Sequence, residues 1–244
     1  PASYLVDDVD ATGFIALQVH GIGKSANAGK TIRWRNIRIQ TDNITPAPFP
    51  ENIFVVNNRP NNLTDFEKNN GWKLLFDGVS SKGWRSVRTL EFPEKGWEIA
   101  DGSITVLSSK GREGERGGDI ITDRKYSAFD LSFEFNFSTG GNSGLKYFVT
   151  LSNGNTGSAL GLEYQVLDDK NHPDAKMGIG GNRTLASLYD LIHAARSERF
   201  TNPPGEWNRG RVVVYPNNHV VHYLNGVKVL EYDRGSEAFR KLVA

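Results

Sequence analysis

Short β-rich stretches recur along nearly the whole chain, broken by turn-forming dipeptides, and they leave room for little but an all-β fold. Alternating or compact apolar segments run over 14–20, 32–40, 97–100, 104–107, 129–137, 144–151, 160–167, 211–215, 219–224 and 228–232. Asp101-Gly102 and Asn225-Gly226 each stand between two such segments, as a two-residue hairpin turn requires. Only two stretches read as helix. One covers 62–69, with a cap at Asn62 or Thr64, and the other covers 236–243, opening on Ser236. Strands at this spacing predict a sandwich or a jelly roll, not an α/β fold.

A length of 244 residues suits one large β domain, or a domain with an appendage. The balance of 29 basic against 28 acidic residues removes the electrostatic pull that nucleic acid or anionic membranes need. No apolar run approaches the roughly 20 residues of a membrane-spanning helix. Cysteine is absent, which excludes disulfides, thiolate metal sites and cysteine nucleophiles. That absence suits an exported bacterial protein, periplasmic or secreted. The opening at Pro1, with no basic-then-apolar leader, reads as a processed protein, a trimmed one or a fragment.

Organisation along the chain is uneven. Residues 1–40 are strand-like and close on Ile32-Arg33-Trp34-Arg35-Asn36-Ile37-Arg38-Ile39. Residues 41–70 carry Pro46, Pro48, Pro50 and Pro60 among several Asn, the composition of a linker. From Gly71 a new domain begins. Two strands alone cannot bury a core, so the first segment must dock on the later domain or on another chain.

The motifs from Gly71 onward have a recognisable order. They include Trp72-Lys73-Leu74-Leu75-Phe76-Asp77-Gly78, Trp97-Glu98-Ile99-Ala100-Asp101-Gly102 and Gly118-Asp119-Ile120-Ile121-Thr122. Next come Gly141-Asn142-Ser143-Gly144-Leu145-Lys146, Leu162-Glu163-Tyr164-Gln165-Val166-Leu167-Asp168-Asp169 and Ser187-Leu188-Tyr189-Asp190. Gly205-Glu206-Trp207-Asn208 and His222-Tyr223-Leu224-Asn225-Gly226 complete the series. In this order the segment 71–244 resembles the bacterial 3-keto-disaccharide (3-keto-glycoside) hydrolase domain, once catalogued as a domain of unknown function. Residues 13–21 and 32–37 resemble the closing strands of the same domain, and 71–244 stops short of its own copy. A piece of a tandem protein, a circular permutation or residues missing from the chain would each produce this. An open sandwich leaves an exposed edge and apolar face, so the N-terminal strands are expected to fill the vacancy as an antiparallel pair, within the chain or by exchange between copies. The resemblance implies a concanavalin-like jelly roll with a sugar-sized cleft on its concave sheet.

Alternation then selects the candidate site. Glu163 and Gln165 share one face of their strand, opposite Leu162, Tyr164 and Val166. Lys146 shares a face with Gly144 and Phe148, and many relatives carry Arg there; Lys keeps the charge but loses the bidentate fork. Gln18 and His20 fall on the face of Phe14 and Ala16, opposite Ile15, Leu17 and Val19. The predicted catalytic residues are Glu163, His20 and Lys146, with Glu163 and Gln165 on a central strand and Lys146 within reach. Gln165, Gln18, Asn142, Tyr189, Trp207 and His222 are the predicted substrate-binding residues. Tyr189 is carried over from the Ser-Leu-Tyr-Asp motif. Trp207 is either a sugar platform or a core ring. The stretch 168–190, the longest without strand pattern, holds Asp168, Asp169, His172, Asp174 and Asp190; a divalent cation is the one cofactor it suggests, although its spacing matches no ordered metal loop.

The family name implies a carbohydrate substrate oxidised at carbon 3. Such a ketone acidifies the hydrogen on carbon 2. A general base removes it, the enolate expels the group on carbon 1, and water then adds. Glu163 or His20 would be the base, and Lys146 or a bound cation would stabilise the enolate. A non-catalytic carbohydrate-binding module on the same sandwich is the alternative. A conventional two-carboxylate glycosidase is a third reading, weakened by the lack of a second carboxylate on the Glu163 strand.

Overall fold

The structure is a computed structural model that describes residues 12–19, 31–42, 44, 57, 59–107, 117–151, 159–197 and 200–244. Two strands come from the N-terminal segment, β1 (Gly13–Leu17) and β2 (Ile32–Gln40). They are followed by β3 (Lys73–Leu74), β4 (Trp84–Ser86), β5 (Trp97–Ala100), β6 (Ser103–Val106), β7 (Ile120–Tyr126), β8 (Phe129–Phe137), β9 (Asn142–Thr150) and β10 (Leu160–Leu167). The last three are β11 (Asn208–Val214), β12 (His219–Leu224) and β13 (Val227–Asp233). Every strand pairing among them is antiparallel. Helix α1 (Asp65–Asn69) opens on a capping box made by Thr64 and Glu67, and α2 (Glu237–Val243) opens on Ser236.

One sheet runs β10-β9-β1-β7-β4 and the other β13-β12-β11-β8-β2-β6-β5, with β3 beside β2. The protein is therefore an all-β sandwich of two antiparallel sheets. The two N-terminal strands do dock on the later domain, but they do not pair with each other. Each takes an interior place in a different sheet: β1 between β9 and β7, β2 between β8 and β6. Without β1 the smaller sheet would split in two, and without β2 the larger one would. Their sequences fit such places, since β1 is buried along its whole length and Trp34, Ile37 and Ile39 of β2 are buried almost completely. Within the expected linker 41–70, residues 43, 45–56 and 58 lie outside the described residues, and the described end of it carries α1.

Between the sheets lies one apolar core. Trp34, Phe133, Phe135, Tyr147, Tyr164, Val212, Val220 and Leu224 are fully buried in it. Phe133 meets Tyr164 edge to face with 5.2 Å between ring centroids, and Gly210 opposite it lacks the Cβ that would strike the ring. Two bulges shift the alternation. In β2, Asn36 at φ 55° separates the Ile32/Trp34 phase from the Ile37/Ile39 phase. In β9, Phe148 at φ 53° turns inward with Tyr147, so it does not share the Lys146 face as the plain alternation predicts. Asp101-Gly102 and Asn225-Gly226 join β5 to β6 and β12 to β13 with positive φ at both residues, the mark of the I′ turn.

Candidate functional site

The outward face of the smaller sheet divides in two. Phe14, Ala16, Ile121 and Val149 form an apolar patch with Val87 and Ala159. Beside it Gln18, Lys146, Glu163 and Gln165 project from β1's end, β9 and β10, all of them buried by the loops that cross this face. Glu163 stands directly opposite Lys146 in the β9–β10 ladder, and Gln165 opposite Gly144. The alternation thus places the predicted carboxylate, amide and ammonium together. Glu163 Oε2 accepts from Gln18 Nε2 at 3.2 Å. Gly144 makes room for the carboxylate: a Cβ there would lie 1.9 Å from Glu163 Oε1.

β10 is an edge strand, not the central one expected. Its open side is covered by the loop that follows it. Gln165 N donates to Ser187 O at 3.1 Å, Ala186 N to Gln165 O at 2.8 Å, and Tyr189 N to Glu163 O at 2.9 Å. An irregular loop thereby satisfies an edge backbone that would otherwise be exposed. The same hydrogen bond sets Tyr189 beside Glu163. Burial, followed by the negative charge of Asp174, pushes its phenol above the usual tyrosine range.

Lys146 is held by a residue that alternation does not disclose. Its Nζ donates to Asp119 Oδ2 at 3.1 Å and to the Ala159 carbonyl at 2.9 Å. Asp119 is fully buried and also accepts from Val19 N and Ala159 N. Its carboxylate fixes the ammonium and the end of β1 at once. The only sequence trace of this role is its place in the Gly118-Asp119-Ile120 stretch.

Asn142 and Gln165 face each other, with Gln165 Nε2 3.3 Å from Asn142 Oδ1. Asn142 Nδ2 and Gln165 Oε1 are left buried without a partner, as is Gln18 Oε1. Turning both amides over exchanges the labels but still leaves one N–H and one C=O unmet. Buried polar atoms are normally satisfied, so these unmet atoms stand out as a group on one face.

Two predicted binding residues lie elsewhere. Trp207 sits on the outward face of the larger sheet, under Arg35, whose guanidinium carbon is 3.7 Å from the ring centroid. Arg35 in turn pairs with Glu134 at 2.9 Å. Trp207 and Glu163 are thus separated by the whole sandwich. His222 is a core residue: its face of β12 carries Val220 and Leu224, and it is fully buried. Its Nδ1 lies 3.1 Å from the Ala186 carbonyl and its Nε2 2.8 Å from Tyr147 Oη, which is 2.8 Å from Tyr232 Oη. A carbonyl only accepts, so Nδ1 carries the proton and Nε2 accepts from Tyr147. Burial lowers the pKa of His222 to about 4, so the imidazole is neutral. His20 lies outside the described residues.

The carboxylates of the 168–190 loop find partners in the loop and its surroundings, with one oxygen of Asp174 left unmet. Asp168 accepts from Gly140 N at 2.7 Å and from Asn171 Nδ2 at 2.8 Å, and Asp169 accepts from Leu185 N at 2.8 Å and pairs with Arg196. Arg183 binds both oxygens of Asp190, at 2.8 and 3.0 Å, and Asp174 Oδ1 at 3.0 Å. Among the described residues no group of three or more His, Asp and Glu is arranged to hold a metal ion.

The fold is thus an all-β sandwich that gathers a carboxylate, an ammonium and unmet amides on the outward face of one sheet. The sequence profile of the 3-keto-alpha-glucoside-1,2-lyase-like domain matches residues 71–244, and the chain belongs to that family. A relative from Bacteroides thetaiotaomicron (strain ATCC 29148), named 3-keto-disaccharide hydrolase, is 42% identical over 173 residues. That match covers 66% of this chain and 58% of the relative's length. A crystal structure from Parabacteroides distasonis ATCC 8503, provisionally assigned as a glycosyl hydrolase, superposes with a TM-score of 0.62 at 32% identity. The superposition covers 74% of this chain and 80% of that one. No helix among the described residues is long and apolar enough to cross a membrane.

Proposed function

We propose that the protein cleaves 3-keto-glycosides by elimination and rehydration. The observation that carries this reading is the placement of Glu163: a buried carboxylate opposite a buried ammonium, beside amides with unmet hydrogen-bonding capacity. Glu163 removes the proton from carbon 2, which the carbon-3 ketone has acidified. The electron pair is held as the carbon-3 enolate and then forms the carbon 1–carbon 2 double bond as the carbon 1–oxygen bond breaks, and the aglycone oxygen takes the proton that Glu163 removed, which returns the carboxylate. Water then adds its hydroxyl to carbon 1 and its hydrogen to carbon 2, so the net reaction is hydrolysis. Lys146 and the free N–H of the Asn142–Gln165 pair supply positive potential for the enolate oxygen.

The binding-module alternative leaned on an exposed aromatic platform. Trp207, its best candidate, is stacked under Arg35 on the opposite sheet, which favours the enzyme. The deciding experiment is incubation with a 3-keto-glucoside and, separately, with the unoxidised glucoside. Aglycone release from the first alone supports the reading; binding of the keto sugar with no release overturns it in favour of the module.

Gly144→Ala provides a second check. Gly144 lies outside the left-handed backbone region, so alanine fits its dihedrals, and the atoms nearest the added methyl are Oε1, Cδ and Cγ of the Glu163 side chain. The variant is expected to keep its melting temperature within a few degrees and to lose at least tenfold in kcat. A variant as active as the parent would show that the position of the Glu163 carboxylate does not matter.

A further inference from the structure

Asp174 is the second residue of a short 3-10 turn, Pro173–Lys176, and its backbone N–H donates to His172 Nδ1 at 3.2 Å. Its side chain is only about 7% exposed overall, and Oδ1 accepts from Arg183. Oδ2 has no partner of sound geometry among the described residues. The Tyr189 phenol interacts with the same carboxylate and feels the charge of Glu163 as well. Arg183 divides its charge between Asp174 and Asp190. A buried carboxylate left with one unmet oxygen is a poor structural element, since desolvation without a donor is costly. It is a good receptor for a donor that arrives with a ligand.

Resting on the reading above, we infer that Asp174 is a substrate-recognition residue that accepts a hydrogen bond from a ring or exocyclic hydroxyl of the keto sugar. A carboxylate oxygen only accepts, so its partner must carry an O–H, and the ketone carries none. On a 3-keto-glucoside the 2-hydroxyl stands on the reacting carbon. The donors away from the reacting carbon are the 4-hydroxyl and the exocyclic 6-hydroxyl, and Asp174 reads one of them through a charge-assisted bond. Tyr189 links this recognition to Glu163, because its backbone is fixed on Glu163 O while its phenol faces Asp174. A sugar held at Asp174 is thereby aligned with the base.

The test is a cycle of two changes. The wild-type protein and Asp174→Asn are assayed on 3-keto-glucoside and on its 4-deoxy and 6-deoxy analogues. In the wild type, one deoxy analogue is expected to lose at least tenfold in kcat/KM. In Asp174→Asn that penalty should shrink to about twofold or less, while the parent substrate loses a comparable tenfold, mainly in KM. A merely structural Asp174 would leave the deoxy penalties unchanged in the variant, and that result overturns the inference. Equal turnover of all three substrates by the wild type overturns it without any variant, so a misfolded Asp174→Asn does not shield it; Asp174→Glu serves as a conservative replacement in that case. Absence of turnover of the parent 3-keto-glucoside by the wild type removes the proposed reaction, and this inference with it.

Discussion

Replacing Glu163 with glutamine is expected to lower turnover of a 3-keto-glucoside by about a hundredfold or more, with KM nearly unchanged. Glutamine has the size and shape of the carboxylate and keeps an oxygen to accept from Gln18 Nε2, now 3.2 Å from Glu163 Oε2. It fits the space left by Gly144 as well as the acid does. What it lacks is a basic oxygen. The loss should therefore fall on kcat, because the substrate is still held by the amides around it. Single-turnover assays with carbon-2-deuterated substrate sharpen the result, since an isotope effect in the wild type identifies proton removal as the step that suffers. Unchanged turnover in the variant removes Glu163 from the mechanism. Lost binding with an intact fold recasts Glu163 as a sugar-positioning group and makes His20 the leading base.

The residues that alternation could place are those whose neighbours are fixed by the strand itself. Glu163 and Gln165 fall opposite Leu162, Tyr164 and Val166, as a period of two dictates, and the ladder sets Lys146 across from Glu163. The hairpin dipeptides and the Ser236 cap are equally readable, because each depends on a few adjacent residues, and the first helix takes Thr64 of the two caps open to it. What alternation does not report is which strand lies beside which. β1 and β2 look like a pair, yet they occupy different sheets because each is buried enough to fill an interior place. The Phe148 bulge reverses the face of the residues beyond it, and nothing in the spacing of Tyr147-Phe148-Val149 announces it. Asp119 and the partners of Asp174 escaped for a related reason. Their contacts come from loops, with Asp119 reaching Val19 across 100 residues of chain and Asp174 meeting Arg183. His222 carried a usable signal: it stands between Val220 and Leu224 in period two, and that face is the core.

That buried histidine should make the protein measurably less stable as pH falls from 7 to 5. In the fold, burial lowers the His222 pKa to about 4, against about 6.5 in an unfolded chain. Between these values the unfolded state binds a proton that the folded state refuses, so stability rises with pH across the window and is lost as pH drops. The full separation corresponds to about 3 kcal/mol, of which about 2 kcal/mol is lost between pH 7 and pH 5. The physical cause is specific. Nδ1–H already serves the Ala186 carbonyl, and Nε2 accepts from Tyr147, whose oxygen in turn lies 2.8 Å from that of Tyr232. A second proton would have to enter a dry core and break that chain of donors. Urea unfolding at pH 7, 6 and 5 measures the slope, and His222→Gln is the control, because it retains a donor and an acceptor but cannot titrate. The variant starts from lower stability, yet its free energy should vary with pH by about 2 kcal/mol less than the parent's over the same window. An identical pH dependence in the two proteins would mean that His222 protonates in place at little cost, and that the tyrosine–histidine chain in the core has room to rearrange.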